Sequence, residues 1–415
     1  MEINQILVCR EKKANLIQTY IKDYQVITLK ANIVGENKNM KEAYILLSYF
    51  DKLIPNTYVD KHILDDLDGP LVIYLFKEEK SLKEEMVFLE QNNPLGRFVD
   101  IDVYFKDFKS LNRPNLRKCY LCDNPAFVCG RNKTHTVDEL NNYLKQSVED
   151  FLLRIINELC NESMLTELNL HPKFGLVTPY TNGSHKDMDY NLMVKAKNSI
   201  LPYFSSMFKE GYNSNNLTEI FQNIRKIGIE AENNMFLETN AINAYKGLIF
   251  ALGLAVTSVA INFNCLKEKR NWSKNIALMT SGITKELENG NETFGKHAYQ
   301  KYNIKGAREQ AELGFSIVNE VVNQYRLDNN KSLLKALCYI IYNIDDTVLL
   351  KRCNDINYYY QVKQKFKDLK YDKDSIENLN EYCINNNLSF GGSADLLIVS
   401  VFIKKIHQLF NFNLF

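Results

Sequence analysis

The spacing of apolar residues changes once along this chain, near residue 147. Before that point, short β-branched and aromatic runs alternate with helical spacing. Gln25–Lys30 (QVITLK), Leu71–Phe76 (LVIYLF) and Asp100–Phe105 (DIDVYF) read as strands bounded by turn signals. Lys77–Gln91 carries Leu82, Met86 and Leu89 on one helical face. Beyond residue 147, apolar residues recur every three or four positions. Val148–Cys160, Ile220–Leu237, Ala244–Phe263, Gly306–Gln324, Ser332–Leu350, Asp374–Asn385 and Ser393–Phe410 are expected helices. Only 17 Gly and 8 Pro punctuate 415 residues, which suits long helices rather than an all-β fold. Two domains are expected. Residues 1–146 read as α+β, a small mixed sheet with helices, and residues 148–415 as an all-α helical domain. No Pro/Gly linker interrupts 146–150, so the join is expected to be helical.

Charge excludes one large class of function. Lys+Arg is 51 against Asp+Glu 50, a net charge of +1, so bulk nucleic-acid binding is not expected. The start, MEINQILVCREKK, is charged from its second residue and lacks the apolar core of a signal peptide. The one long apolar run, Leu248–Phe263, contains Thr257, Ser258 and Asn262 and is short for a membrane span, so a buried core helix is expected. Nine cysteines without a secretory signal point to reduced thiols and a cytoplasmic location.

In the first part, Asp100 and Asp102 stand two residues apart on a strand and so share a face, while Ile101 and Val103 face a core. Such a pair suits Mg²⁺, which takes few carboxylates and completes its shell with water and phosphate oxygens. A strand with one solvated face would carry the same pattern. Cys119-x2-Cys122-x6-Cys129-x5-His135 offers four ligands of the type that hold Zn²⁺. The alternative is three small buried hydrophobes and a surface imidazole. GPLVIYLF, PLGRFVDIDVYF and RKCYLC…AFVCGRNKTH, with VITLKANIVG upstream, resemble the citrate lyase holo-acyl-carrier-protein synthase family over residues 1–146. The resemblance implies transfer of a phosphoribosyl-dephospho-CoA group to a serine hydroxyl of an acyl carrier subunit, with pyrophosphate released. Arg97 would then supply cationic help for the triphosphate.

The second part interrupts its helices with polar blocks. Lys173, His185, Asp187 and Asp189 fall in one loop-to-helix passage. Glu232, Thr239, Asn243 and Lys246 would share one arc of a continuous helix, unless the helix breaks at Thr239–Asn240 and Asn243 serves as an N-cap. Asp345 and Asp346 sit inside an apolar stretch, where two carboxylates need a cation or donors unless both lie on a solvent-facing stripe. Gly391, Gly392, Ser393 and Asp395 open the last long helix. They read either as an anion site made by a helix N-terminus or as an ordinary cap with Ser393 as its N-cap residue. Gly290–His297 mimics a phosphate-binding loop but has His297 where Ser or Thr is required, and it is rejected.

HPKFGLV, SHKDMD, GIEAENNMF, TNAINAYKGLIFALG, KGAREQAELGF, NIDDT and SFGGSADLL together resemble the triphosphoribosyl-dephospho-CoA synthase family over residues 148–415. The family implies attack of the 2′-hydroxyl of 3′-dephospho-CoA on the ribose of ATP, with adenine leaving. This chain departs from the family at Phe174, Asn240, Ala241, Ala244 and Tyr245, which removes a histidine from the motif while Asn243 and Lys246 remain. Charge that builds on the ribose needs a carboxylate, the attacking hydroxyl needs a base, and the triphosphate needs Mg²⁺ with lysine or arginine. Glu232, Asp345, Asp346, Asp187 and Asp395 are the available carboxylates, with Lys173, Lys246 and Arg308 as cations. Asp100, Asp102, Asp345 and Asp346 are the expected Mg²⁺ ligands. The expectation is a bifunctional transferase that makes the citrate lyase prosthetic group and attaches it to the apo acyl carrier subunit. Two alternatives are a helical synthase fused to a non-catalytic, zinc-stapled docking module, and the same chemistry serving a malonate decarboxylase carrier.

Overall fold

The three expected strands form, each within a residue or two of its expected ends, and a fourth joins them. The computed structural model describes residues 2–77, 81–105, 116–268, 270–289 and 293–415. They fall into two compact units. Unit 1 comprises Met1–Arg154, Cys265–Lys269 and His407–Phe415; unit 2 comprises Ile155–Asn264 and Arg270–Ile406.

Unit 1 holds β1 (Gln25–Ala31), β2 (Asp60–Asp66), β3 (Gly69–Phe76) and β4 (Val99–Tyr104), in the order β2-β3-β1-β4. The sequence reading has a mixed sheet, but all three pairings are antiparallel. A two-residue turn makes β2 and β3 a hairpin, and Gly69 takes φ +86, a conformation that a Cβ disfavours. β2 escapes the sequence reading because its residues, DKHILDD, are mostly polar at this sheet edge. β3 is buried along its whole length, the mark of a central strand covered on both faces. On one face, Ile17 in the last turns of α1 (Glu2–Tyr20) and Ile21 just after it pack on Val26, Leu71, Ile73 and Leu75. α2 (Lys41–Asp51) buries Tyr44, Ile45, Leu46, Leu47 and Phe50 and packs on β1 and β3. α3 (Leu82–Asn92) realises part of the helix read over Lys77–Gln91; Glu78–Lys80 lie outside the described residues. α4 (Ala126–Asn132) precedes α5 (Val137–Leu168). Thr136 and Glu139 cap α5 reciprocally, and this one helix runs through 146–150.

Unit 2 continues with α6 (Tyr190–Asn213), α7 (Leu217–Glu238), α8 (Lys246–Asn264) and α9 (Trp272–Met279). Shorter helices follow: α10 (Glu286–Asn289), α11 (Phe294–Tyr302), α12 (Ala307–Glu312) and α13 (Ser316–Gln324). α14 (Asn330–Asn343), α15 (Thr347–Cys353), α16 (Ile356–Lys367), α17 (Lys373–Asn385) and α18 (Gly391–Leu409) complete the chain. Of the rejected phosphate-loop mimic, Gly290–Glu292 lie outside the described residues, and Thr293 caps α11. α8 is the unit's centre, with Leu248–Phe263 buried almost throughout and α6, α7 and α9 packed on it. It is the one helix among the described residues long and apolar enough to cross a bilayer, and 83% of that window is buried inside the protein.

Two expected helices are each two. Gly306–Gln324 breaks at Gly314 and Phe315, both at positive φ. Ser332–Leu350 breaks at Ile344–Asp346, because Asp346 takes an extended conformation and caps α15. The two aspartates therefore lie between helices rather than inside one. A break also separates α7 from α8, as the capping alternative had it.

Candidate functional site

Each unit brings charged residues together. In unit 1, burial along β4 alternates, with Val99, Ile101 and Val103 buried and Asp100, Asp102 and Tyr104 half-buried on the other face. Lys30 and Thr28 stand directly opposite Asp100 and Asp102 across β1, on the face that α1 covers. Asp68, from the β2–β3 turn, is 1% exposed and takes ion pairs from Lys30, Arg10 and Lys13. Lys38 donates to the Ile33 carbonyl, and burial, Lys30 and Arg10 lower its pKa. None of these cations figures among the expected site residues, because single basic residues scattered over α1, β1 and a loop form no motif.

Arg117 is a cation paired with Asp100. It also reaches Glu90 Oε1 at 3.0 Å and the Val99 carbonyl at 2.8 Å. Glu90 in turn accepts from the Ile101 N–H at 2.7 Å. Two side chains thus occupy outward-facing backbone groups of β4, an edge strand. Burial pushes the Glu90 carboxyl up to about 7. Burial, with the Asp100 charge, also raises the pKa of Asp102. Arg97 donates to the Cys119 carbonyl and lies 5.7 Å from the Tyr120 ring centre, so its guanidinium belongs to the cysteine block.

That block closes on itself. Lys118 and Pro125 form an antiparallel bridge, and the Cys119 N–H donates to the Asn124 carbonyl at 2.8 Å. The ligand atoms of Cys119, Cys122, Cys129 and His135 all lie within 4.8 Å of one another. Cys122 Sγ is 3.4 Å from both Cys129 Sγ and His135 Nε2. Three sulfurs and an imidazole at such separations are the donor set of a structural zinc site, whose tetrahedral sulfurs stand roughly 3.8 Å apart.

In unit 2 a cavity of about 360 Å³ opens between α7, α8 and α12. Its walls are apolar, among them Met207, Phe221, Ile224, Phe250 and Leu254, and Arg225, Glu232, Lys246, Glu286, Lys305 and Arg308 also line it. Lys246 pairs with Glu232 across the α7–α8 break. Arg225 holds Glu286 with both terminal nitrogens, and Arg308 lies 3.8 Å from the same carboxylate. A narrower cleft of about 40 Å³ shares Gly247, Ala307 and Thr347 with this cavity, and Asp345, Asp346 and Asp395 line it.

The three aspartates differ in their partners. Asp346, 2% exposed, accepts from Val348 N and Leu349 N, and from Ser393 N and Oγ at 2.8 and 2.9 Å. Gly392 lets it lie this close, since a Cβ there would be 3.2 Å from its carboxylate. The carboxylate of Asp346 therefore occupies the Gly391–Ser393 helix start that reads as an anion site. Ser393 lies within α18 rather than serving as its N-cap. Asp345 receives the Tyr359 hydroxyl at 3.3 Å and Lys363 Nζ at 3.5 Å. Asp395 faces Gly247, where a Cβ would come within 2.2 Å of Oδ2. Burial pushes its carboxyl well above the usual carboxylate range, and the Asp346 and Glu167 charges add to this.

Other expected site residues lie elsewhere. Lys173 is 1% exposed and pairs at 2.8 Å with Glu167, a core ion pair. His185 lies 3.0 Å from Ser389 Oγ and 3.4 Å from Arg352, and burial, then Arg352, lowers its pKa. Asp187 is exposed 3.9 Å from His185, and Asp189 caps α6. Asn243 accepts from the Lys246 N–H at 3.2 Å, which is the capping role. Tyr245, where the resembled family has other residues, is buried with a hydroxyl that meets no partner.

Two family models tile the chain. Apo-citrate lyase phosphoribosyl-dephospho-CoA transferase matches residues 1–151, and ATP:dephospho-CoA triphosphoribosyl transferase matches residues 154–413. A protein of Leuconostoc mesenteroides subsp. cremoris named Protein CitXG is 28% identical, over 96% of this chain and 95% of its own length. Its namesake from Haemophilus influenzae is 29% identical, over 97% and 96%. A 2-(5''-triphosphoribosyl)-3'-dephosphocoenzyme-A synthase of Haemophilus ducreyi is 32% identical, over 69% of this chain and 99% of its own. A transferase match over the first segment does not favour a non-catalytic docking module there, and the citrate lyase description does not favour the malonate decarboxylase alternative.

Proposed function

Since the chain belongs to the ATP:dephospho-CoA triphosphoribosyl transferase family, with an apo-citrate lyase phosphoribosyl-dephospho-CoA transferase segment ahead of it, we propose that it makes and attaches the citrate lyase prosthetic group. Unit 2 joins the triphosphoribosyl group of ATP to the 2′-hydroxyl of 3′-dephospho-CoA and releases adenine. Unit 1 passes the phosphoribosyl-dephospho-CoA group to a serine of the apo acyl carrier subunit and releases pyrophosphate. The observation that carries this reading is the tiling of the chain by both families, in the same order as two full-length fusion relatives.

The geometry agrees with the chemistry. The apolar cavity suits a purine, and Arg225, Lys246, Lys305 and Arg308 suit a triphosphate. Asp395 and Asp345, in the adjoining cleft, are the carboxylates for the ribose centre. A protonated Asp395 would give its proton to the departing adenine, and Asp345 would stabilise positive charge on the ribose. Asp346 does not fit a Mg²⁺ ligand, because four N–H and O–H donors already fill its oxygens. In unit 1 Asp100 and Asp102, on one face of β4, are the carboxylates that would hold Mg²⁺, which would neutralise charge on the leaving pyrophosphate. A serine acceptor needs no thiol, so the cysteine cluster has no chemical step, and we read it as a zinc site that supports the fold. ATP and dephospho-CoA are cytoplasmic metabolites, which supports a cytoplasmic place of action.

The test is mass spectrometry of apo carrier incubated with the protein, ATP, Mg²⁺ and dephospho-CoA, with adenine followed by chromatography. The expected result is a carrier heavier by one phosphoribosyl-dephospho-CoA group and one adenine released per intermediate formed. Adenine release with an unmodified carrier would overturn the reading of unit 1, and no adenine release would overturn that of unit 2.

A further inference from the structure

The cysteine block is wired to the carboxylate strand. Arg117 lies two residues before Cys119, and its carbonyl accepts the Ala126 N–H at 2.8 Å, at the other end of the Lys118–Pro125 bridge. Its guanidinium spans Asp100, Glu90 and the Val99 carbonyl. Tyr120 pins the same loop to the sheet. Its hydroxyl donates to the Asn32 carbonyl, and its ring meets Phe98 edge-on at 5.0 Å. Arg97 ties the residues just before β4 to the Cys119 carbonyl. The loop is also held by its own bridge and by the four clustered ligands.

Resting on the reading of unit 1 as the transferase, we propose that Cys119, Cys122, Cys129 and His135 bind one Zn²⁺ and that this knot positions Arg117 across the outer edge of β4, keeping Asp100 and Asp102 set for the transfer. The metal takes no part in the transfer and acts through a guanidinium. Without it the loop loses one of its ties, Arg117 shifts from the edge, and Glu90, the acceptor of the Ile101 N–H, loses its pairing with that guanidinium.

The experiment uses the full chain, tag-free, as purified, after chelation, and after zinc is restored. One zinc per chain is expected as purified. Amide exchange in a peptide covering Val99–Tyr104 should accelerate several-fold on depletion, while Gly69–Phe76 stays protected. A merely structural metal would loosen both strands. Zinc-loaded Arg117→Ala should show the same edge-strand exchange and lose about tenfold or more in carrier modification, with Arg117→Lys recovering part of it and adenine release unchanged. The proposal is overturned by zinc-free purified protein, by depletion that loosens both strands or neither, or by zinc-loaded Arg117→Ala that modifies the carrier at the normal rate. Should the zinc-loaded parent fail to modify the carrier while exchange responds as expected, the transferase reading falls and the positioning of Arg117 stands.

Discussion

Asp345 and Asp346 are neighbours with different duties, and stability separates them. Asp346→Ala strands four donors in the interior, so a loss of about 3 kcal/mol or more is expected. Asp345→Asn, at a half-buried position, should cost less than about 1 kcal/mol yet depress adenine release. The single tryptophan, Trp272, is buried in unit 2, and its fluorescence in denaturant reads both variants. Equal losses from the two would refute the division of roles. Glu90 gives a second residue-scale expectation. Its pKa rises from 4.5 to about 7 on folding, chiefly through burial, with Asp100 and Asp102 opposing the help from Ile101 and Arg117. The folded state keeps a proton that the unfolded state has released. Its stabilising effect is complete below about pH 4.5 and is lost as pH rises through about 7. Glu90→Gln should flatten that decline, measured as exchange protection of β4 at pH 5 and pH 8. An identical decline in both proteins would exclude Glu90 as its source.

At the scale of elements, α8 and α18 meet so closely that one Cβ matters. Gly247→Ala improves helix propensity by up to about 1 kcal/mol but drives a methyl onto Asp395. Adenine release should fall about tenfold or more with helix content unchanged, by chromatography and circular dichroism. Normal turnover would mean that Asp395 has no part in the cleft. Elements with a clear period were legible in the sequence: β1, β3, β4, α8 and α18 all carry one. α1 and β2 were not, because the apolar residues of α1 gather on no single face and those of β2 are sparse. The breaks inside Gly306–Gln324 and Ser332–Leu350 were hidden as well, since apolar spacing continues across them while Asp346 and the positive-φ pair Gly314–Phe315 end the helices. The site shows the same divide. Adjacent groups such as the strand aspartates, the cysteine block and Asp345–Asp346 stand out. Arg117, Glu90 and Arg225 meet their partners only through tertiary packing, which no local spacing records.

At the scale of the molecule, unit 1 draws on residues that follow the whole of unit 2 in the chain. Asn411 donates to the Ser48 carbonyl through its backbone and to Asp51 through its side chain, and Phe410 packs on Tyr49 at 5.4 Å. Lys267, from the other returning segment, lies 4.8 Å from the Tyr44 ring centre. Phe410→Ala, at a site 1% exposed, should cost unit 1 about 3–5 kcal/mol. Amide exchange in β1 and β3 would report the loss, while the Trp272 transition stays in place. Protection of β1 and β3 at the parental level would show that the returning segment adds nothing to the unit.

That threading sets an order of events during synthesis. A ribosome that has delivered residue 154 has made nearly all of the transferase segment but not the pieces that close its core. The last of those pieces, His407–Phe415, is translated only after the rest of the synthase segment. The first unit to begin is therefore the last to finish. A gene cut at the boundary between the two families would release a transferase lacking the residues that meet Tyr44, Ser48 and Asp51.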